Sequence, residues 1–196
     1  MNAAPGPRTT AAQQSPAAAP APGAVRPARV VIALGSNLGD RMANLQGAVD
    51  ALFGPPGLAC LAVSPVYETV PVGGPSQPDF LNAVLLASTV LPPRAVLARG
   101  QAAEAALHRS RTVAWGPRTL DVDVIAYGDV VSDDPVLSLP HPRAHERAFV
   151  LVPWHDVQPD AEIPGRGRIA DLLAATAPAA TAPAVRRVRN VLRPPS

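Results

Sequence analysis

The chain of 196 residues contains a single cysteine and no lysine, and only 4% of its residues are aromatic. One cysteine excludes an internal disulfide framework and any cysteine-cluster metal centre. Cys60 lies in the apolar run Leu58–Val63 and reads as a buried structural thiol. No stretch approaches the roughly 20 uninterrupted apolar residues of a membrane-spanning helix. Prolines break every alanine run near the N-terminus, which excludes the continuous apolar core of a secretory signal. A reducing, cytoplasmic setting is the expectation. Neither G-x-x-x-x-G-K-[ST] nor G-x-G-x-x-G occurs, so the P-loop and dinucleotide fingerprints are excluded. There is no internal repeat, and the net charge of +2 is too small to mark a nucleic-acid binder by itself. The arginines at 186, 187, 189 and 193 raise the pI and read as a solvated end.

Three regions differ in composition. Residues 1–28 are mostly Ala, Pro, Gly, Gln, Ser and Thr and offer no periodic apolar face, which predicts a disordered extension. Residues 29–175 are long enough for one domain with its own core. Residues 176–196 form an Ala/Pro/Arg-rich tail.

Within the domain, Arg29–Leu34 reads as a buried strand and Gly35–Asp40 as a turn in which Asp40 or Asn37 caps the next helix. That helix carries Met42, Leu45, Val49, Leu52 and Phe53 on one face and ends at Gly54-Pro55-Pro56-Gly57. Leu58–Val66 is a second strand, and Tyr67–Asp79 a long Pro/Gly-rich connection of the kind that often carries function. Phe80–Ser88 is a strand. A helix opened by Pro92-Pro93 runs to His108, with Val96, Leu97, Ala103 and Leu107 facing inward. After a flexible stretch over 109–116 come a strand over Thr119–Tyr127 and a hairpin-like turn at Gly128-Asp129 into Val130-Val131. Leu139–Arg143 is irregular, Ala144–Val152 helical, and Ile169–Ala174 a last short helix. This order predicts an α+β sandwich of the ferredoxin-like kind, an antiparallel sheet with two helices on one face.

The sharpest chemical feature is the segment W-G-P-R-T-L-D-V-D-V, residues 115–124. Residues i and i+2 of a strand share a face, so Asp121 and Asp123 point into one space roughly 6.6 Å apart. Leu120, Val122, Val124 and Ile125 are expected on the opposite, apolar face. Two partly buried carboxylates repel each other and suit a hard cation such as Mg²⁺, although an edge strand with one exposed polar face remains the alternative. Arg109, Arg111 and Arg118 before the pair, and Arg143 and Arg147 with His141 and His145 after it, make a phosphate-rich ligand plausible. Phe80 and Asn82 share a strand face, an aromatic ring beside an amide that could cradle a flat heterocycle. Core packing is the competing reading for Phe80, Trp115 and Phe149.

Four stretches together resemble the 6-hydroxymethyl-7,8-dihydropterin pyrophosphokinases. They are A-L-G-S-N-L-G-D-R (33–41), S-P-V-Y-E-T-V-P-V-G-G-P-S-Q-P-D-F-L-N-A-V (64–84), W-G-P-R-T-L-D-V-D-V-I (115–125) and L-P-H-P-R-A-H-E-R-A-F-V-L-V-P (139–153). The resemblance implies a ferredoxin-like fold and transfer of pyrophosphate from ATP to 6-hydroxymethyl-7,8-dihydropterin. It implies two Mg²⁺ ions on Asp121 and Asp123, and catalytic roles for Arg109, Arg111 and Arg118. It further implies ATP contacts from Gln101, Glu104, Arg109, Arg118, Ile125, Ser138, His141 and Arg147. The pterin site would comprise Gly35, Thr69, Val70, Val72, Phe80, Asn82, Trp115 and Phe149. Phe80 stands where many members carry tyrosine. A monomer with no nucleic-acid or membrane partner is expected. The other class in view is a non-catalytic ferredoxin-like nucleic-acid module, which would display stacking aromatics where this sheet displays aspartates.

Overall fold

The computed structural model describes residues 26–107, 116–176 and 185–195. The β-branched run near the start forms β1 (Ala28–Ser36), which is buried on both faces. The helix α1 (Arg41–Phe53) begins at Asp40, whose carboxylate accepts a hydrogen bond from the Ala43 N–H at 3.0 Å. Its buried residues Leu45, Ala48, Val49 and Leu52 follow the spacing of one helix face. β2 (Leu58–Val63), β3 (Tyr67–Thr69) and β4 (Phe80–Thr89) follow, then α2 (Pro93–Ala106) with proline in its first turn. β5 (Asp121–Tyr127) carries the acid pair. A 3-10 turn at Ala144–Glu146 leads into α3 (Ala148–Val157), and a small hairpin of β6 (Glu162–Ile163) and β7 (Gly167–Arg168) into α4 (Ile169–Thr176). β8 (Val185–Arg187) completes the set.

The main sheet is antiparallel, in the order β5-β1-β4-β3-β8, with β2 also paired to β4. One edge of the long β4 is therefore shared between β2 and β3. The break falls at Ser64-Pro65, where proline has no N–H to offer the ladder. The Ser64 hydroxyl accepts the Val84 N–H at 2.8 Å and donates to the Pro65 carbonyl at 2.7 Å, which closes the gap.

Helices cover both faces. Val30, Ile32, Leu34, Leu85, Val122 and Val124 pack with α1 and α2, while Val31, Val84, Leu86 and Ile125 pack with Val150, Leu151 and Trp154 of α3 and Ile169 of α4. The α+β antiparallel class is as expected, but the late helices form a second layer that the strand–helix order alone did not show. Among the described residues, no helix is long and apolar enough to cross a membrane.

Five further expectations change. The second strand ends at Val63, short of Val66, and Tyr67–Thr69, expected as loop, pairs with β4 and β8. Val130-Val131 does not continue a hairpin ladder. The turn at Gly128 is present (φ 50°), but the next pairing is a single bridge between Ser132 and Leu139. Ile125 does not share a face with Val122 and Val124: alternation along the strand turns it into the α3 layer, and the β1–β5 register shift between Val31 and Ile32 keeps Ala126 in that layer as well. The end of the chain is not wholly a tail: the backbone of β8 is in the sheet and Leu192 is buried, while the Arg186 and Arg187 side chains stay exposed.

Gly100 of α2 lies against Val122 of β5, and a Cβ there would stand 2.9 Å from Val122 Cγ1. Gly100→Ala gains about 1 kcal/mol of helix propensity but overpacks the contact at a cost of about 1–3 kcal/mol. Urea unfolding should therefore show a net loss of stability, and Val122→Ala in the same chain should restore part of it.

Candidate active site

The site is assembled at one end of the sheet, where β1, β4 and β5 lie side by side. Gly35 of β1 pairs with Asn82 on one side and Asp121 on the other. A side chain at Gly35 would fill the cleft between them, since a Cβ would lie 3.3 Å from Asn82 Oδ1, 3.7 Å from Phe80 Cδ1 and 3.8 Å from Asp121 Cβ. The buried Asn82 amide donates to Thr69 Oγ1 at 2.8 Å. The half-buried Phe80 ring lies 5.4 Å from the Arg118 guanidinium carbon.

Asp121 and Asp123 share the face of β5 that meets this cleft. Arg118 Nη1 donates to Asp121 Oδ2 at 2.9 Å, and Arg118 Nε is buried without a hydrogen-bond partner among the described residues. Asp123 Oδ2 lies 3.5 Å from Arg147 Nη1 and 4.0 Å from His141 Nε2. Burial and the neighbouring Asp121 charge push the Asp123 carboxyl above the usual carboxylate range, against the opposing pull of His141, Arg147 and Arg118. Burial holds His141 below the ordinary histidine value. Its Nδ1 accepts the Arg143 N–H at 3.2 Å, so the neutral ring carries its proton on Nε2, facing Asp123. The His141 N–H donates to the Ile125 carbonyl at 2.8 Å, which fixes the 139–147 segment to β5. The Arg147 guanidinium carbon is stacked 5.6 Å from the centre of the Phe149 ring.

β5 is an edge strand, as the polar-edge alternative had it, yet its outer side is not open. Glu104 of α2 is 8% exposed, and its Oε1 accepts the Val122 N–H at 2.8 Å, between the two aspartates.

The geometry brings together Gly35, Thr69, Phe80, Asn82, Arg118, Asp121, Asp123, His141, Arg147 and Phe149. Glu104 supports the acid pair from behind. Ile125 contributes its carbonyl, with its side chain fully buried. Gln101 is exposed on α2, Val70 and Val72 are exposed on the 70–79 loop, and Ser138 donates to the Asp134 carbonyl at 3.1 Å. Arg109, Arg111 and Trp115, with most of the stretch expected to be flexible, lie outside the described residues.

Asn37 was weighed in the sequence only as a helix cap, a place that Asp40 takes. It is 2% exposed and works as a clasp. Its Oδ1 accepts the Arg118 N–H at 2.7 Å, its N–H donates to the Arg118 carbonyl at 3.1 Å, and its Nδ2 donates to Gln77 Oε1 and the Pro78 carbonyl, both at 3.0 Å. The only trace of this in the sequence is an amide in a glycine-flanked turn directly after a buried strand.

Sheet and site together define an α+β protein that gathers a carboxylate pair and guanidinium groups beside an aromatic–amide cleft. Residues 31–159 match the model of the 7,8-dihydro-6-hydroxymethylpterin-pyrophosphokinase (HPPK) family, and the chain belongs to that family. It is 48% identical over 145 residues to the 2-amino-4-hydroxy-6-hydroxymethyldihydropteridine pyrophosphokinase of Mycobacterium tuberculosis, covering 69% of this chain and 75% of that one. The Pseudomonas aeruginosa protein of the same name is 42% identical over 147 residues, covering 75% and 91%. The fold is also that of a Plasmodium falciparum HPPK-DHPS crystal structure, with a TM-score of 0.59 at 14% identity, spanning 78% of this chain and 43% of that one.

The raised Asp123 pKa sets a pH dependence. Below the ordinary carboxylate pKa both folded and unfolded chains hold the proton, and there is no penalty. As pH rises the unfolded chain ionises first, so Asp123 costs stability, and the full cost is reached above its folded pKa. With chelator present, Asp123→Asn should raise Tm at about pH 7, and the gain should fade toward acid pH in calorimetry.

Proposed function

We propose that this chain is a diphosphotransferase that moves pyrophosphate from ATP to 6-hydroxymethyl-7,8-dihydropterin, giving AMP and the pterin pyrophosphate used in folate biosynthesis. The observation that carries the reading is convergence. Within the stretch matching the family, the acid pair, two arginines, a histidine and the aromatic–amide cleft meet at one end of the sheet.

The donor set fits a hard divalent ion. Two carboxylates share one space, burial and then their mutual repulsion raise the pKa of Asp123, and a hard ion would leave further positions for water and phosphate oxygens. Asp121 and Asp123 would hold two Mg²⁺, which would neutralise polyphosphate charge and favour in-line displacement. Arg118 now occupies Asp121. With that carboxylate engaged by a cation, the guanidinium would be free to turn toward phosphate, where its Nε–H would find an acceptor. Arg147 and the Nε2–H of His141 would face the nucleotide's phosphates, with Gln101, Ser138 and the Ile125 carbonyl nearer its other groups. Glu104 holds β5 in place behind the carboxylates.

The pterin would lie over Gly35, where the missing side chain leaves room for a flat ring, between Phe80 and Phe149. Asn82 and Thr69 would read its edge, with Val70 and Val72 closing from the loop. By the family resemblance, Arg109 and Arg111 are assigned catalytic roles and Trp115 a pterin contact. In the transfer, the hydroxymethyl oxygen bonds to the β-phosphorus as the bond from that phosphorus to the α–β bridging oxygen breaks. AMP departs and the hydroxyl proton is lost to solvent. Exclusion of bulk water from the occupied cleft would suppress hydrolysis of ATP.

ATP and the pterin are the partners this reading requires, in a cytoplasmic monomer with no nucleic acid. The nucleic-acid module is disfavoured because α3 and α4 cover the sheet face on which bases would stack.

AMP release should depend on ATP, Mg²⁺ and the pterin together, each omitted in turn. Asp121→Ala and Asp123→Ala should each reduce turnover by about 10³-fold or more with the fold retained. Near-normal AMP formation by both variants would refute the metal assignment. In single-turnover kinetics, Arg118→Ala should slow the chemical step about 10²-fold while changing pterin affinity much less.

A further inference from the structure

The last strand of the chain lies beside the pterin side of the cleft, and its contacts form a closed circuit. β3 is only three residues long, and it is held by β4 on one side and β8 on the other. Its middle residue, Glu68, points away from the cleft into which Thr69 turns. Glu68 Oε1 accepts from Arg41 Nη1 at 3.0 Å, while Oε2 accepts from Arg186 of β8. The two guanidinia, Arg41 foremost, hold the Glu68 carboxyl below the usual carboxylate range.

Arg41 Nη1 also donates to the Asp79 carbonyl at 2.8 Å. A single guanidinium thus joins both feet of the 70–79 loop, since Glu68 precedes Thr69 at one end and Asp79 precedes Phe80 at the other. Beyond β8, the Val188 N–H donates to the Val66 carbonyl at 2.9 Å and Leu192 is buried in the core. The Arg193 N–H donates to Gln46 Oε1 at 2.8 Å, and Gln46 Nε2 donates back to the Arg193 carbonyl at 3.2 Å. Gln46 and Arg41 belong to the same helix, so the circuit runs from α1 through the C-terminal segment to β3 and back to α1.

We propose that Arg41, Glu68 and Arg186 are positioning residues for the pterin: through them the C-terminal strand sets the spacing of the loop feet, and so of Thr69 and Phe80. The inference rests on the pterin site assigned above. None of the three residues reaches the acid pair, so the triad acts on pterin affinity and leaves phosphoryl chemistry and ATP affinity alone. The side chains are 32%, 19% and 70% exposed, so the effect is moderate and screened by salt.

The test is steady-state AMP formation by the full chain carrying Glu68→Gln, Arg186→Gln or Arg186→Lys, with each substrate titrated at saturating levels of the other. Glu68→Gln and Arg186→Gln should raise the pterin KM about 3–10-fold, with kcat and the ATP KM within about twofold. Arg186→Lys should recover most of the loss. The double variant should be no worse than Glu68→Gln alone. Titration of pterin fluorescence, with Mg²⁺ and a non-hydrolysable ATP analogue present, reads the same affinity without turnover. Unchanged pterin affinity in both Gln variants would overturn the inference, as would equal losses for pterin and ATP. A wild-type chain that binds pterin but forms no AMP would instead overturn the transfer reaction, and the affinity comparison would still decide the triad.

Discussion

The register of β1 between β4 and β5 governs the site. At Gly35 the ladder sets Asn82 on one side and Asp121 on the other, with no side chain between them. A slip of one residue on either side would turn the amide or the carboxylates into the α1–α2 layer. The register is well specified because β1 is buried on both faces: Val30, Ile32 and Leu34 commit to one helical layer and Val31 to the other. Core packing and site geometry are thus one constraint, and the cleft inherits its shape from residues that never touch a ligand.

Electrostatics then act on that frame. Asp121 is paired at close range with Arg118, whereas Asp123 faces Arg147 and His141 at longer distances. The two acids are therefore unequal before any ligand arrives. Arg118 also stands over Phe80, and its backbone is held on both sides by Asn37. Release of its side chain need not move its main chain, so the guanidinium can exchange partners while the entrance to β5 stays fixed.

Much of this was legible in the sequence because period-2 and period-3.6 patterns report burial directly. The β-branched run of β1, the Asp40 cap, the proline start of α2 and the same-face placement of Asp121 and Asp123 all follow from local rules. What escaped detection depended on tertiary partners. Tyr67–Thr69 is too short to announce itself as a strand and exists because β4 and β8 flank it. Ile125 and Ala126 both face the α3 layer through a bulge that depends on pairing with β1. Asn37 looked like an alternative cap because its true partners, Arg118 and Pro78, lie far along the chain. The Ala/Pro/Arg composition after residue 176 concealed a strand whose exposed side chains resemble those of a solvated end.

Glu104 has a consequence beyond the site. Strand edges with free N–H groups invite pairing with foreign strands. On β5 the outward Val122 N–H is already taken by a buried carboxylate, and α2 lies along that margin. The strand that carries both acids is therefore guarded at this N–H against pairing with a foreign strand. One carboxylate thus joins the upkeep of a charged cleft to protection against aggregation.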